Sequence, residues 1–294
     1  MSAAALRALV AAELDRPAGP AAQAMAGRLA ARPGVAAVLY YGARLREGAS
    51  APGGPLDFYV LTDSDTAYHG RGLAALANRL LPPNVYRETL ADPAVEAKVA
   101  VISLGAFRAR MRPKALDTTL WARFAQPVIL AHARSEADRA AVIEVVATAV
   151  ETAAWWAARL AENPAAPEAA WAALFRHTYG SELRVEGGRR AADLVAADPA
   201  RYARLHALLI AGREAEGRTA TARAWARRRA VGKALNAVRL VKAAFTYRGG
   251  IAYALAKVER HSGRPVELRP WERRWPRLAA PFVVWRLWRS GRLR

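Results

Sequence analysis

Val35–Asp65 reads VAAVLYYGARLREGASAPGGPLDFYVLTDSD, and this stretch decides the fold. Its opening, Val35–Tyr41, is an unbroken apolar run of strand length that ends at the small-residue turn Gly42-Ala43-Arg44. A Pro/Gly-rich loop, Ala51–Pro55, leads into a second strand-like run, Leu56–Thr62. That run carries a carboxylate inside it, Asp57, and two more follow at Asp63 and Asp65. A carboxylate within an apolar strand is costly unless it is paired or binds a cation. A small-residue turn at the end of the preceding strand lets backbone N–H groups approach a phosphate. Together these features point to a site for a metal-bound nucleoside triphosphate. Asp57 is the first expected metal ligand, Asp63 or Asp65 would assist, and oxygen donors of this kind suit Mg²⁺.

The pattern on either side supplies the rest of an α+β fold. Ala3–Leu14 and Ala21–Ala31 read as Ala-rich helices, and Tyr68–Leu81 reads as a helix that stops at Pro82-Pro83. The β-branched alternation of Lys98–Ser103 makes a third strand, joined to the others by helical crossovers. Lys98 at the start of that strand would face phosphate charge or simply snorkel to solvent, and His69 would act as a phosphate donor, support the ligands or sit on a helix surface. Beyond Ser135 the pattern is helical: Glu136–Glu162, Pro167–Tyr179, Pro199–Ala211, Ala220–Thr246 and Ile251–Arg260. The expected organisation is therefore an α/β domain with a small mixed sheet over residues 1–133, a helical domain over 134–263 and a tail over 264–294.

The 53% hydrophobic content supports a real core and excludes a disordered chain. The absence of cysteine excludes disulfides and thiolate metal sites. Met1–Arg16 lacks the basic and apolar regions of a signal peptide, and no uninterrupted apolar run reaches spanning length, so a cytoplasmic location is expected. The net charge of +20 is uneven. Gly217–Arg294 holds 20 Lys/Arg against Glu259, Glu267 and Glu272, a net of +17, which leaves 25 basic and 22 acidic groups in the rest. Basic charge gathered at one end implies an anionic partner there, membrane lipid or nucleic acid, with an Arg-rich solvated face as the other reading.

Taken with its surroundings, the turn before Asp57 resembles the nucleotidyltransferase fold. In that fold a Gly-Ser turn holds a triphosphate, and two acids spaced by one residue hold Mg²⁺. The chain departs from the pattern at Ala43, where Ser is usual, and at Tyr59, where the second acid would stand. Residues 38–128 resemble more narrowly the mitochondrial phosphatidate cytidylyltransferases, which are peripheral CDP-diacylglycerol synthases, and their bacterial relatives. The resemblance rests on Tyr41-Gly42-Ala43, Leu56-Asp57-Phe58, Asp63 with Asp65, Tyr68-His69, Asn84-Val85-Tyr86, Lys98–Ser103, Asp117 and Trp121–Val128. Tyr179–Arg184 resembles the family's Tyr-x-Gly-Asp-x-Arg, with Ser181-Glu182 in place of Gly-Asp. The resemblance implies transfer of a cytidylyl group from CTP to phosphatidic acid, with Asp57, Lys98 and Asp65 at the chemistry. It implies nucleotide contacts from Tyr41, Gly42, Ala43, Arg44, His69 and Tyr86, with Glu182 and Arg184 reaching in from the helical domain.

The tail adds an independent signal. Trp271, Trp275, Trp285 and Trp288 alternate with arginines, among them Arg286 and Arg289. On a helix Val284, Leu287 and Trp288 share one face, while Arg286 and Arg289 lie opposite. Tryptophan at an apolar boundary with arginine towards headgroups describes an interfacial helix on an anionic membrane, here the inner face of the cytoplasmic membrane. Arginine with aromatics also suits single-stranded nucleic acid, the lesser expectation. A terminal helix packed on its own domain is the third reading. Two other functions stay open: a soluble nucleotidyltransferase with a protein or small-molecule acceptor, and a non-enzymatic nucleic-acid-binding protein on a degenerate scaffold.

Overall fold

The computed structural model describes residues 3–47, 54–182, 189–211, 218–246, 259 and 265–290. The chain divides into two compact units, Met1–Ala115 with Leu120–Ala153, and Leu116–Thr119 with Ala154–Arg294. In the first unit, helices α1 (Ala3–Leu14) and α2 (Pro20–Ala30) precede strand β1 (Val35–Tyr41). After β1 come α3 (Ala43–Glu47), β2 (Leu56–Thr62), α4 (Asp65–His69), α5 (Leu73–Leu80), β3 (Asn84–Leu90) and β4 (Val95–Ser103). The unit continues with α6 (Leu104–Ala109), α7 (Thr119–Phe124), β5 (Ile129–Ala133) and the first part of α8 (Glu136–Leu160).

The five strands form one mixed sheet in the order β3-β4-β2-β1-β5. The β2–β4 pair is parallel and the other pairs are antiparallel. The fold is thus α+β with a small mixed sheet, as the sequence led us to expect, though with five strands in place of three. Strand β3 was missed because its residues are half-buried and polar along an edge (NVYRETL), and β5 because it is so short. The expected helix Tyr68–Leu81 is two helices, because Gly70 takes a left-handed φ of 68° and ends α4.

Both faces of the sheet are covered, as its central strands require, being buried nearly throughout. On one face Val38, Phe58, Val60, Val99 and Val101 meet Met25 and Leu29 of α2. The last two are fully buried, and each stabilises the fold by about 1.5–3 kcal/mol. On the other face Tyr41, Tyr59, Phe107 and Phe124 form an aromatic cluster, with Tyr59 contacting the other three at 5.3, 6.2 and 5.0 Å between ring centroids.

The second unit takes the end of α8 and then α9 (Pro167–Tyr179), α10 (Arg189–Ala196), α11 (Pro199–Leu209), α12 (Arg218–Thr246), α13 (Pro270–Arg274) and α14 (Pro276–Arg289). Trp171, Phe175 and Tyr202 fill the space between α9 and α11, and Trp156 meets Trp225 of α12 at 5.1 Å. The expected helix Ile251–Arg260 lies outside the described residues, apart from Glu259. The division between units runs through α8, whereas the sequence suggested a boundary at His132–Glu136. Among the described residues α8 alone has the length and composition to cross a membrane, and most of it is buried within the protein.

Candidate active site

β-Strand register assembles the site. Tyr41 stands opposite Asp57 across the β1–β2 pair, and Lys98 stands opposite Asp57 across the β2–β4 pair. Cross-strand partners project to the same face, so Tyr41, Asp57 and Lys98 form one row across three adjacent strands. The turn that leaves β1 closes over this row. Gly42 has a φ of 100°, and a Cβ there would lie 2.6 Å from Oδ2 and 3.1 Å from Cβ of Asp57. Only glycine lets the turn backbone run against the carboxylate. Ala43 and Arg44 follow as the start of α3.

The electrostatics of the row are set by one acid among cations. Among the described residues, the Asp57 carboxylate makes no hydrogen bond or ion pair with another side chain. Burial pushes the Tyr41 phenol well above its usual pKa; Arg123 opposes this and Asp57 adds to it. Tyr41 therefore stays protonated. Arg123 Nη1 donates to Tyr41 Oη at 3.3 Å, and its guanidinium lies 5.3 Å from the ring centroid. Tyr40 is likewise raised, by burial first, with Arg44 lowering it and Asp57 raising it. Arg123 thus brings positive charge to Tyr41 beside the carboxylate, and Arg44 brings it to Tyr40, which lies in the cluster on the α2 face. Sequence reading left Arg123 without a role. Nothing local ties it to Tyr41, 82 residues away; only the packing of Trp121 and Phe124 beside it in α7 hints at a fixed position.

Three of the expected ligand and nucleotide residues lie elsewhere for reasons of length, and a fourth for reasons of side. Asp63 and Asp65 follow the far end of β2. At roughly 3.3 Å per residue, Asp63 is about 20 Å along the strand from Asp57. Asp63 is held by Arg134, whose Nη1 and Nη2 donate to it at 2.7 and 2.9 Å, and that hydrogen bonding keeps its carboxyl below the usual range. Asp65 accepts from Asn78 Nδ2 at 2.8 Å. His69 meets Tyr86, with Nδ1 3.2 Å from the Tyr86 hydroxyl. Tyr86 and its neighbour Tyr68 pack on the α2 side of the sheet, opposite the face that carries Asp57. The expectation that Asp63 or Asp65 assists Asp57 in holding a metal is corrected accordingly: both are engaged by other side chains beyond the far end of β2. Among the described residues no group of three or more His, Asp or Glu side chains could hold a metal ion.

The position one step inward from Asp57 on the same face is Tyr59, only 2% exposed in the aromatic cluster. Where a second acid would stand, the chain has packed rings. Glu182 belongs to the second unit, and Arg184 lies outside the described residues. Asp117, also in the second unit, is buried and paired with Arg239, so it holds structure together there.

In the tail, Ala279, Val283 and Leu287 bury themselves with Val266, against Leu240 of α12 and Leu268. The face expected from Leu287 is therefore turned inward, and the side chains of Val284 and Trp288 lie outside the described residues. Arg286 is also turned inward, donating to Glu272 Oε2 at 3.0 Å and to the Glu267 carbonyl at 2.9 Å.

No protein-family model and no curated protein matches the chain. Among solved structures, the chain is similar to a nucleotidyltransferase-like protein from Exiguobacterium sibiricum 255-15. The match covers 92% of this chain and 91% of that one, at 11% identity and a TM-score of 0.29.

Proposed function

We propose that the protein is a nucleotidyltransferase that moves a cytidylyl group from CTP to phosphatidic acid, releasing pyrophosphate and forming CDP-diacylglycerol. The observation that carries this reading is the contact of the Gly42 turn with an Asp57 carboxylate that has no side-chain partner among the described residues. A strand carboxylate kept unpaired is costly, and a cation offsets that cost. One carboxylate fits Mg²⁺, which is commonly held by one or two acids together with substrate phosphates and water. Asp57 would hold the ion, whose chemistry is to neutralise charge on the triphosphate.

The chain's own residues would do the rest. The Gly42-Ala43 backbone, free of bulk beside Asp57, would receive the triphosphate. Arg44, Arg123 and Lys98 would balance negative charge as pyrophosphate departs. A phosphate oxygen of the acceptor attacks the α-phosphorus, the bond to the bridging oxygen breaks, and pyrophosphate carries that electron pair away. A phosphate nucleophile is already ionised near neutral pH, so no strong general base is needed. The choice of CTP and of a lipid acceptor follows the family resemblance, with the basic tail as support for an anionic membrane surface on the cytoplasmic side. Nucleic acid is not the expected partner.

Measuring pyrophosphate release from CTP and Mg²⁺, with and without phosphatidic acid, tests the reading. Release that requires phosphatidic acid is the expected result. Release with ATP or with a soluble acceptor alone would select a different nucleotidyltransferase. Tyr59 favours one second reading, a scaffold that binds nucleotide without transferring it. Protection of the fold by CTP and Mg²⁺, with no pyrophosphate released under any condition, would select that reading.

A further inference from the structure

The tail has two apolar faces, and among the described residues one of them is covered. Ala279, Val283 and Leu287 are buried against α12, as described above. On the other face Trp271, Trp275, Leu278, Phe282 and Trp285 are 42, 57, 65, 61 and 55% exposed. From Trp275, which precedes α14, the spacing of three, four and three residues sets Leu278, Phe282 and Trp285 along one stripe of α14, and Trp271 of α13 joins it through Phe282. The stripe is ordered: Trp271 meets Phe282 edge to face at 5.7 Å, and Arg289 lies 5.4 Å from the Trp285 ring. The inward side is pinned as well. Arg286 ties α14 to Glu272, which is 2% exposed and accepts from the Arg269 backbone N–H at 2.8 Å. The stripe is therefore not a core face left loose; its opposite side is already packed.

We propose that this stripe is the surface by which the protein docks on an anionic bilayer. Three tryptophans and a phenylalanine among the exposed side chains match an interface that is apolar on one side and wet on the other. The charge is complementary: Arg269, Arg273, Arg274 and Arg289 are exposed around the stripe. Glu272, the nearest acid, is buried and engaged. The surrounding segment from Gly217 to Arg294 carries a net of +17. An amphipathic helix with arginines beside its aromatics lies in the headgroup plane with its apolar stripe inserted. Leu278 and Phe282 thus become insertion residues, and Leu287 and Arg286 become the residues that hold the stripe outward. The proposal deepens the lipid-acceptor reading, but its test reads binding rather than turnover, so the two fail separately.

The test is flotation of the full chain with phosphatidylcholine vesicles, with and without phosphatidylglycerol, at low and high salt. The intact protein should float with phosphatidylglycerol vesicles, with a blue shift in tryptophan emission. Salt should weaken this binding without abolishing it, because screening removes only the charge contribution. Phe282→Asp and Leu278→Asp, both at exposed positions, should each lower the vesicle affinity by about tenfold or more, the factor expected when one large apolar side chain can no longer insert. Far-UV circular dichroism should be unchanged in both. Binding unaffected by both substitutions would overturn the proposal. So would an intact protein that ignores phosphatidylglycerol vesicles but captures single-stranded oligonucleotide through the same residues. A dimer that Phe282→Asp makes monomeric, with no vesicle binding by either form, would assign the stripe to a second copy of the chain instead.

Discussion

Tyr59 meets Phe124 edge to face, with ring centroids 5.0 Å apart at 81°, on the same face of β2 that carries Asp57. This contact occupies the place where a nucleotidyltransferase pattern would put its second acid. Restoring that acid should therefore fail. Tyr59→Asp removes a buried ring, a loss of about 3–5 kcal/mol for large-to-small aromatic changes, and places a carboxylate among Tyr41, Phe107 and Phe124. The expected outcome is a variant largely unfolded at ambient temperature by circular dichroism, with no gain in nucleotide turnover. A folded and more active Tyr59→Asp would show that the cluster is a dispensable plug.

Asp57→Asn should separate function from stability. The carboxylate has no side-chain partner among the described residues to lose, so the unfolding midpoint in urea should shift little or rise. Transition-state stabilisation should drop by at least about 2.7 kcal/mol, a hundredfold in kcat/KM for CTP. Near-normal turnover in this variant would remove Asp57 from the site.

Gly42→Ala should damage both. The left-handed φ costs an L-residue about 1–2 kcal/mol, and the added methyl would press on Oδ2 of Asp57. Displacing that carboxylate should lower turnover by roughly a hundredfold, as small misplacements in a reacting array do. In an Asp57→Ala background the stability cost of Gly42→Ala should be smaller, since the 2.6 Å approach to Oδ2 is gone and only the 3.1 Å approach to the remaining Cβ and the backbone strain are left. Equal costs in the two backgrounds would mean that the turn and the carboxylate do not press on each other.

The buried ion pair of Asp117 and Arg239 predicts acid sensitivity of the second unit. Burial alone would raise the Asp117 carboxyl, but the hydrogen bond and charge of Arg239 outweigh it and hold it below the usual value. A carboxyl depressed in the folded state contributes stability that is fully present above its unfolded pKa of about 3.9. That stability is lost as pH falls through the lower, folded value. The pair should therefore support the fold at neutral pH and fail below about pH 4. Asp117→Asn removes the charged acceptor of the half-buried Arg239 and should cost roughly 2 kcal/mol at pH 7, the scale of a hydrogen bond to a charged group, read from denaturant titration. The difference between the two proteins should shrink as the pH drops below that range. A difference that stays constant down to pH 2 would show that the charge on Asp117 contributes nothing.

The sheet centre was legible in the sequence because β1, β2 and β4 are apolar runs bounded by turn residues. Their register brings Tyr41, Asp57 and Lys98 into one row. Asp63, Asp65, His69 and Tyr86 do not join that row: the two acids were taken from their place just after β2, and His69 and Tyr86 from the family resemblance. A strand carries its ends apart by its own length, and its alternation sends neighbouring side chains to opposite faces. Arg123 could not be read at all, since its contact with Tyr41 depends on how α7 closes over the sheet. In the tail, amphipathicity was plain, but which of two apolar faces points outward depends on Leu240, far upstream on α12.

The path of the chain has a consequence for the order in which the protein can form. Leu116–Thr119 belongs to the second unit, although the chain on either side of it belongs to the first. During synthesis the first unit has all its residues once Ala153 has emerged. Asp117, by contrast, must wait for Arg239, 122 residues later, before its charge is matched. At about 5–20 residues per second that interval is roughly 6–25 s. Through it the carboxylate of this four-residue insert has the Thr119 backbone N–H but not its arginine. Ribosome stalling between these two points should leave the first unit folded and this insert open to protease.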